Sequence, residues 1–290
     1  MKRLLVTGAG GMLGTDVTRE FSRDFHVIGL SRKDLDITDK GAVGEAFRQY
    51  RPEVVINCAA FTRVDDCETM PEIAYSVNAE GPANLAAFCR DSGALLVHVS
   101  SDYVFDGRAD HPWKEDDPMA PLNVYGKSKL QGEIRVKAEC SNYLIVRTSW
   151  LFGLNGPNFI STMLDLSRNR KELAVVNDQE GSPTYTRDLA WGIRLLVSRD
   201  LRGIFHCCNS GSCTWFQLCS FVFENKGIND VLLTPVTSAS FPRPAARPAY
   251  SVLDTGRFRE LTGQAMRPWQ QAVSKYLQDL DGKTGKERAA

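Results

Sequence analysis

Three side chains in the first half of the sequence have the types and the spacing for moving a proton. Ser101 lies in the run Val99-Ser100-Ser101-Asp102-Tyr103-Val104-Phe105-Asp106-Gly107, and Tyr125 and Lys129 stand four apart in Asn123-Val124-Tyr125-Gly126-Lys127-Ser128-Lys129. On a helix, residues four apart share a face, so the Lys129 ammonium can lie near the Tyr125 phenol. A free phenol, with a pKa of about 10, exchanges protons poorly at neutral pH, and a neighbouring cation lowers that value. Tyr125 is then a candidate general acid or base, with Ser101 holding the oxygen that it protonates. The plain alternative is a solvated helix face, on which a Tyr and a Lys at this spacing occur by chance.

The elements around them read as alternating strands and helices. Arg3 to Thr7 is a short apolar strand, followed by Gly8-Ala9-Gly10-Gly11-Met12-Leu13-Gly14 and a helix to about Ser22. Glycines at 8, 11 and 14 let the backbone turn tightly and approach a pyrophosphate, which sits where a helix N-terminus points its unpaired N–H groups. The spacing is G-x-x-G-x-x-G, not the G-x-G-x-x-G of the dinucleotide fingerprint, so the argument rests on the loop's place between a first strand and a first helix. His26 to Leu30 is a second strand ending at Ser31-Arg32, where the ribose of a dinucleotide would lie. A hydroxyl and a guanidinium there suit a 2′-phosphate, which favours NADP over NAD. Asp36-Ile37 is placed to meet the adenosine end, although Asp36 or Thr38 capping the next helix is an equal alternative.

Gly41 to Tyr50 reads as a helix and Val54 to Ala60 as a buried strand whose small end residues, Ala59 and Ala60, let a cofactor run close; Thr62 adds a hydroxyl. Ala74 to Cys89 reads as one amphipathic helix carrying Asn78, either bonded to backbone near the site or exposed. Leu95 to Ser100, a helix from Tyr125 to about Ala138, and a strand from Tyr143 to Thr148 running into Ser149-Trp150 complete the pattern. The expected fold class is α/β: a Rossmann-type doubly wound parallel sheet over residues 1–150, completed by parts of 184–210 and 248–256. Ligands belong at the carboxyl ends of the strands, where Gly8, Ser31, Ala60, Ser101 and Trp150 all fall.

Beyond Gly153 the pattern loosens, and 151–280 reads mainly as a smaller mixed α/β substrate-binding lobe. Its elements are a helix from Phe159 to Arg168, a strand from Leu173 to Asn177, a helix from Arg187 to Ser198, a strand from Gly203 to Asn209 and a helix from Trp269 to Leu280. Residues 281–290 read as a polar tail. The proline-rich run Phe241 to Pro248 forms no regular element and reads as a loop over a site, with Arg243 and Arg247 as phosphate partners or as solvated side chains.

Composition narrows the partners. Lys plus Arg and Asp plus Glu number 35 each, so a net charge of zero gives no field for nucleic acid or an anionic membrane. The apolar runs are far too short to span a bilayer, and Met1-Lys2-Arg3 leads straight into a strand, so no signal peptide is expected. The eight cysteines form no paired C-x-x-C units, and several lie in apolar stretches. They read as reduced structural thiols with no metal site, which fits the cytoplasm.

The glycine loop, the Ser-Ser-Asp-Tyr-Val-Phe-Asp-Gly run and the Y-x-x-x-K resemble the extended short-chain dehydrogenase/reductases. Within them, Pro121-Leu122-Asn123-Val124-Tyr125-Gly126-Lys127-Ser128-Lys129, Arg147-Thr148-Ser149-Trp150, Gly181-Ser182-Pro183-Thr184 and Arg247-Pro248-Ala249-Tyr250-Ser251-Val252-Leu253-Asp254 are similar to the dTDP-4-dehydrorhamnose reductase subfamily. The resemblance runs over nearly the whole chain. It implies reduction of the 4-keto group of dTDP-6-deoxy-L-lyxo-4-hexulose to dTDP-L-rhamnose with NADPH or NADH. It also implies Tyr125 as proton donor, Lys129 tuning it while binding the nicotinamide ribose, and Ser101 where the family often has Thr. Asp102 and Trp150 would contact the sugar nucleotide, Gly11, Met12 and Leu13 the pyrophosphate, and Asp36 and Ile37 the adenosine end. Some relatives dimerise, so a homodimer is allowed.

Rival readings remain. A nucleotide-sugar epimerase uses the same Tyr–Lys pair, whereas a dehydratase commonly has Asp-Glu after the hydroxyl, and here Asp102 precedes Tyr103. A non-catalytic dinucleotide-binding regulatory subunit would show degraded catalytic positions, and Ser101, Tyr125 and Lys129 are all present.

Overall fold

Six apolar runs pair side by side into one parallel sheet: β1 (Arg3–Thr7), β2 (His26–Leu30), β3 (Val54–Asn57), β4 (Leu95–Ser101), β5 (Tyr143–Thr148) and β6 (Gly203–His206). The computed structural model describes residues 1–289, with side chains through Lys283. Strand order is β6-β5-β4-β3-β1-β2, so the chain starts in the interior of the sheet, winds to one edge and then back across to the other. Register runs Leu4 to Val54, Val54 to Leu95 and Leu96 to Tyr143, which aligns the carboxyl ends of β1, β3, β4 and β5 along one rim.

The strands are apolar on both faces because both faces are covered. Leu4, Val6, Ile56, Val97 and Val146 pack against α1 (Met12–Phe21) and α5 (Thr186–Ser198). Leu5, Val55, Leu96 and Ile145 pack against α2 (Lys40–Tyr50), α3 (Gly81–Ser92) and α4 (Val124–Glu139). The chain therefore returns to the sheet after Thr184, with α5 on α1 and β6 beside β5. A separate apolar cluster joins Phe152, Ile160, Tyr185, Leu218, Val222 and Tyr276, the last from α6 (Trp269–Ala289).

Two strands stop short of their expected ends, β3 at Asn57 and not Ala60 and β6 at His206 and not Asn209, and two expected helices differ. The helix expected from Ala74 to Cys89 is broken: Pro71–Tyr75 is helical, Ser76–Glu80 forms a wider π turn, and α3 begins at Gly81-Pro82. Pro82 has no N–H to give, and a Cβ at Gly81 would stand 2.5 Å from Ile37, so the new helix is docked by close contact at its first residue. The last helix does not stop at Leu280 but runs to Ala289, and Ala290 lies outside the described residues. No helix among the described residues is long and apolar enough to cross a membrane.

Candidate active site

At the rim, α4 is set down on the end of β4 by contacts that leave no room for side chains. Asn123 caps the helix, accepting the Gly126 N–H at 2.8 Å and donating to the Ala246 carbonyl at 2.7 Å. A Cβ on Gly126 would fall 2.2 Å from the Tyr103 carbonyl, so the helix starts directly against the turn Asp102–Val104 that follows Ser101. Tyr125 and Ser101 are thereby brought together. Ser101 Oγ donates to Asp102 Oδ1 at 2.9 Å and accepts the Tyr103 N–H at 3.2 Å.

The electrostatics differ from the expectation in one respect. Lys129 is 2% exposed and its ammonium donates to the Val99 carbonyl at 2.7 Å. Burial pulls its pKa down to about 8, against the opposing pull of the Glu133 carboxylate. The Tyr125 phenol is pushed up, not down: burial dominates, a hydrogen bond with Ser101 opposes it, and the Asp102 charge adds to it. With no cation bonded to the phenol, desolvation decides the direction. Such a phenol stays protonated at neutral pH, which suits a proton donor. Asp102, 2% exposed, is raised to about 6 by burial, against hydrogen bonds from Ser251 and Ser101.

Asn78 is fully buried in the π turn. Its Oδ1 accepts the Phe61 N–H at 2.8 Å, and its Nδ2 donates to the Phe61 carbonyl and to Ser128 Oγ, both at 3.0 Å. It thus ties the segment after β3, which holds Ala59, Ala60 and the exposed Thr62, to the helix of Tyr125.

The glycine loop makes a cradle. Gly8 has φ +68°, and a Cβ there would come within 2.7 Å of the Ala59 amide. A Cβ on Gly14 would meet the Gly8 carbonyl at 2.2 Å, which seats α1 against the loop. Gly11 begins α1 with no side-chain cap, so the first N–H groups remain open to an anion. Leu13 is buried in the core and Met12 packs toward Gly153, leaving the backbone at both positions to face the cradle.

The segment after β2, expected at the adenosine end, is looser. Arg32 is 81% exposed at its side chain and only 3.9 Å from Asp36. Asp36 accepts the Thr38 N–H and hydroxyl at 3.0 and 2.7 Å, closing a turn, while the cap of α2 is Asp39, accepting from Ala42 at 3.0 Å. Neither Asp36 nor Thr38 is the capping residue. Ile37 is a core side chain whose carbonyl accepts from Asn84 at 3.1 Å. A carboxylate also stands at Ser31: Asp34 accepts its N–H at 2.9 Å and its hydroxyl at 2.6 Å.

Trp150 occupies the rim beyond β5 with φ +47°, a left-handed backbone unusual for so large a side chain. Both ring faces are covered. Trp215 stacks on one at 3.5 Å and 3°. Gly181 covers the other: its Cβ would lie 2.4 Å from Cε2, nearer than to the bonded Nε1 at 2.5 Å or Cζ2 at 2.8 Å, which places it over the ring. The flat face expected for a deoxysugar is thus occupied, and a ligand meets the ring's edge unless Trp215 moves. Arg247 holds Asp65 through both terminal nitrogens at 2.8 Å, so it is not the free phosphate partner it could have been, whereas Arg243 is exposed.

Asp34, Trp215 and a buried chain from Thr7 through Asn57 to His98 were not found from sequence. Thr7 Oγ1 donates to Asn57 Oδ1 at 2.7 Å, and Asn57 Nδ2 lies 3.1 Å from His98 Nδ1. Burial and the Lys129 charge hold His98 well below its ordinary pKa, hence neutral. The signal for Asn57 and His98 was a polar residue inside an apolar strand. All eight cysteines are free, seven of them buried; burial drives the Cys58 thiol up to about 12. Among the described residues no cluster of three or more His, Cys, Asp or Glu could hold a metal ion.

Comparison with known proteins agrees with this architecture. The family model described as the RmlD substrate binding domain matches residues 1–281. The dTDP-4-dehydrorhamnose reductase of Streptomyces griseus is 42% identical over 98% of this chain and 96% of its own length. The chain belongs to the dTDP-4-dehydrorhamnose reductase family. It is an oxidoreductase of that family with a Rossmann-type fold. The spore coat polysaccharide biosynthesis protein SpsK of Bacillus subtilis is 42% identical over 96% of this chain and 98% of its own. A crystal structure of the Bacillus anthracis reductase of this family, in complex with NADP, superposes with a TM-score of 0.93 at 38% identity, over 96% of this chain and all of that one.

Proposed function

We propose that this chain reduces the 4-keto group of dTDP-6-deoxy-L-lyxo-4-hexulose to give dTDP-L-rhamnose in the cytoplasm, with Tyr125 as proton donor and NADPH favoured over NADH. The observation that carries it is Tyr125 bonded to Ser101 at the strand rim, with buried Lys129 one turn along the same helix, beside a glycine cradle open to a pyrophosphate. Full-length similarity to reductases of this name, one with NADP bound, supports the choice of substrate and cofactor.

A bound nicotinamide supplies the hydride that adds to the keto carbon. Gly8, Gly11, Gly14 and the N-terminal backbone of α1 would hold its pyrophosphate, Ala59, Ala60 and Thr62 would flank it, and Ser31, Arg32, Asp36 and Ile37 would line the adenosine end. Ser101 turns its hydroxyl from Asp102 to the substrate oxygen, a rotation about one bond, and Tyr125 gives that oxygen its phenolic proton. Lys129 stabilises the phenolate left behind and holds the ribose. Asp102 accepts from sugar hydroxyls, and the edge of Trp150 bounds the deoxysugar. The cofactor would lie against the six-stranded lobe, and the sugar nucleotide would reach toward the side of the cluster built on Phe152 and Tyr276.

Oxidation of NADPH followed by absorbance, with the 4-keto sugar generated in place and the product identified, tests the reading. Formation of dTDP-L-rhamnose is expected. Cofactor binding without consumption of this substrate would overturn it and point to another nucleotide-linked keto sugar.

A further inference from the structure

One more turn along α4 from Lys129 lies a carboxylate that the proton-transfer chemistry above does not use. Tyr125, Lys129 and Glu133 are spaced four apart on the same helix, and Glu133 is wholly buried. Its two oxygens accept from Arg147 Nε at 2.9 Å and Nη2 at 2.8 Å, with both side chains 0% exposed. Arg147 belongs to β5, whose chain continues to Trp150. Its Nη1 donates to the Glu115 carbonyl at 3.0 Å, and its guanidinium lies 5.2 Å over the Phe105 ring. Three pieces of the candidate site and a neighbouring loop therefore meet at this pair: the Tyr125 helix, the Trp150 strand, the Phe105 turn after Ser101, and the loop of Glu115.

A buried ion pair is weak as a stabilising device, because desolvation of two charges consumes the attraction. An apolar pair would fill the same space. What an apolar pair could not do is keep a negative charge one turn from Lys129 and fix the helix to the strand by two parallel hydrogen bonds.

We propose that Glu133, held by Arg147, is a positioning residue for proton transfer: it keeps the Lys129 ammonium charged and anchors the helix that carries both Lys129 and Tyr125 to β5. This deepens the reading above and rests on its assignment of Tyr125 and Lys129. The groups facing Lys129 are Glu133 on its own helix, Cys58 after β3, and His98 and the Val99 carbonyl on β4, and Glu133 in turn carries the Arg147 guanidinium, whose positive charge offsets part of its effect. Cys58 and His98 are both neutral at the working pH, which leaves Glu133 as the formal negative charge in this set.

The test is the pH dependence of kcat in the reductive direction. Phenolate formation is favoured while Lys129 is protonated, so turnover falls as pH rises through the lysine's pKa. Glu133→Gln keeps the shape and removes the charge; the alkaline limb is expected to move down by on the order of one pH unit, costing roughly tenfold in rate above it. Glu133→Asp restores the limb. Since Glu133→Gln leaves Arg147 as a lone buried charge, Glu133→Gln with Arg147→Gln serves as the amide pair that folds without either charge, and its limb also lies below that of the unaltered protein. A folded amide pair with an unmoved limb overturns the proposal. Tyr125→Phe, measured alongside, separates the two levels: retained turnover there sinks the Tyr125 assignment itself, whereas a dead Tyr125→Phe with an unmoved Glu133 limb sinks only the role of Glu133.

Discussion

The two ends of the cleft are built on opposite plans. Around Ser101 and Tyr125, the ionisable groups are inside: Lys129, Asp102 and Glu133 are each at most 2% exposed and bonded to neighbours fixed by strand or helix. After β2, at the end proposed for the adenosine, Arg32 stands in solvent with a long contact to Asp36, and Asp34 is bonded to Ser31 within its own turn. Buried charges interact strongly and depend on geometry, whereas exposed charges are screened. In the proposed reading, the first end determines whether the chemistry occurs, and the second only which cofactor is preferred.

The largest effect expected is at Tyr125. Tyr125→Phe removes the proton donor and leaves the ring against Tyr103, 5.4 Å between centroids, so kcat should fall by about 10³-fold with cofactor affinity unchanged. Steady-state NADPH oxidation and a fluorescence titration of NADPH read the two quantities. A fall in both together would mean that the ring, not the hydroxyl, is what matters.

Lys129→Met comes next and should act on both catalysis and binding, lowering kcat by about 10²-fold and weakening cofactor binding. The same residue predicts the pH behaviour of the unaltered protein. Burial depresses its pKa to about 8, so reduction slows as pH rises through that value, well before a solvated lysine would titrate. A rate that stays flat to pH 10 would show that Lys129 is not the titrating group.

How much of this was legible depended on how local the cause was. The bounds of β2 and β5 follow from apolar runs closed by turn residues. The break at Ser76–Glu80 was masked because the apolar spacing continues through the π turn, although Gly81-Pro82 marked it. The direction of the Tyr125 shift was misread because spacing shows which residues share a face but not how deeply that face is buried. Trp150 is covered by Gly181 and Trp215, both distant in sequence, and no periodicity reports such a stack.

Trp150 gives the intermediate effect. With Trp215 and Gly181 on its faces, only its edge can touch a sugar, so Trp150→Ala should raise the substrate KM roughly tenfold, not abolish turnover, and leave the KM for NADPH alone. An unchanged substrate KM would place the sugar elsewhere.

The smallest effect belongs to the exposed end and sharpens the contrast most directly. If Arg32 pairs with a 2′-phosphate, Arg32→Ala should raise the KM for NADPH by about fivefold while the KM for NADH stays constant, because an exposed charge pair contributes at most about 1 kcal/mol. Asp34→Asn acts in the opposite sense, removing a like charge from beside the phosphate and an acceptor from beside a free 2′-hydroxyl, so the NADPH to NADH preference should rise. Salt gives a check that needs no variant: from 0.05 to 0.5 M, the KM for NADPH should climb and that for NADH hardly move, since the Debye length falls to a few ångströms. The same salt range should leave the kcat limb of Lys129 in place, because that charge is under the sheet rim and away from ions. A limb that moved with salt, or an NADPH KM that did not, would erase the distinction between the buried and the exposed end on which the other predictions stand.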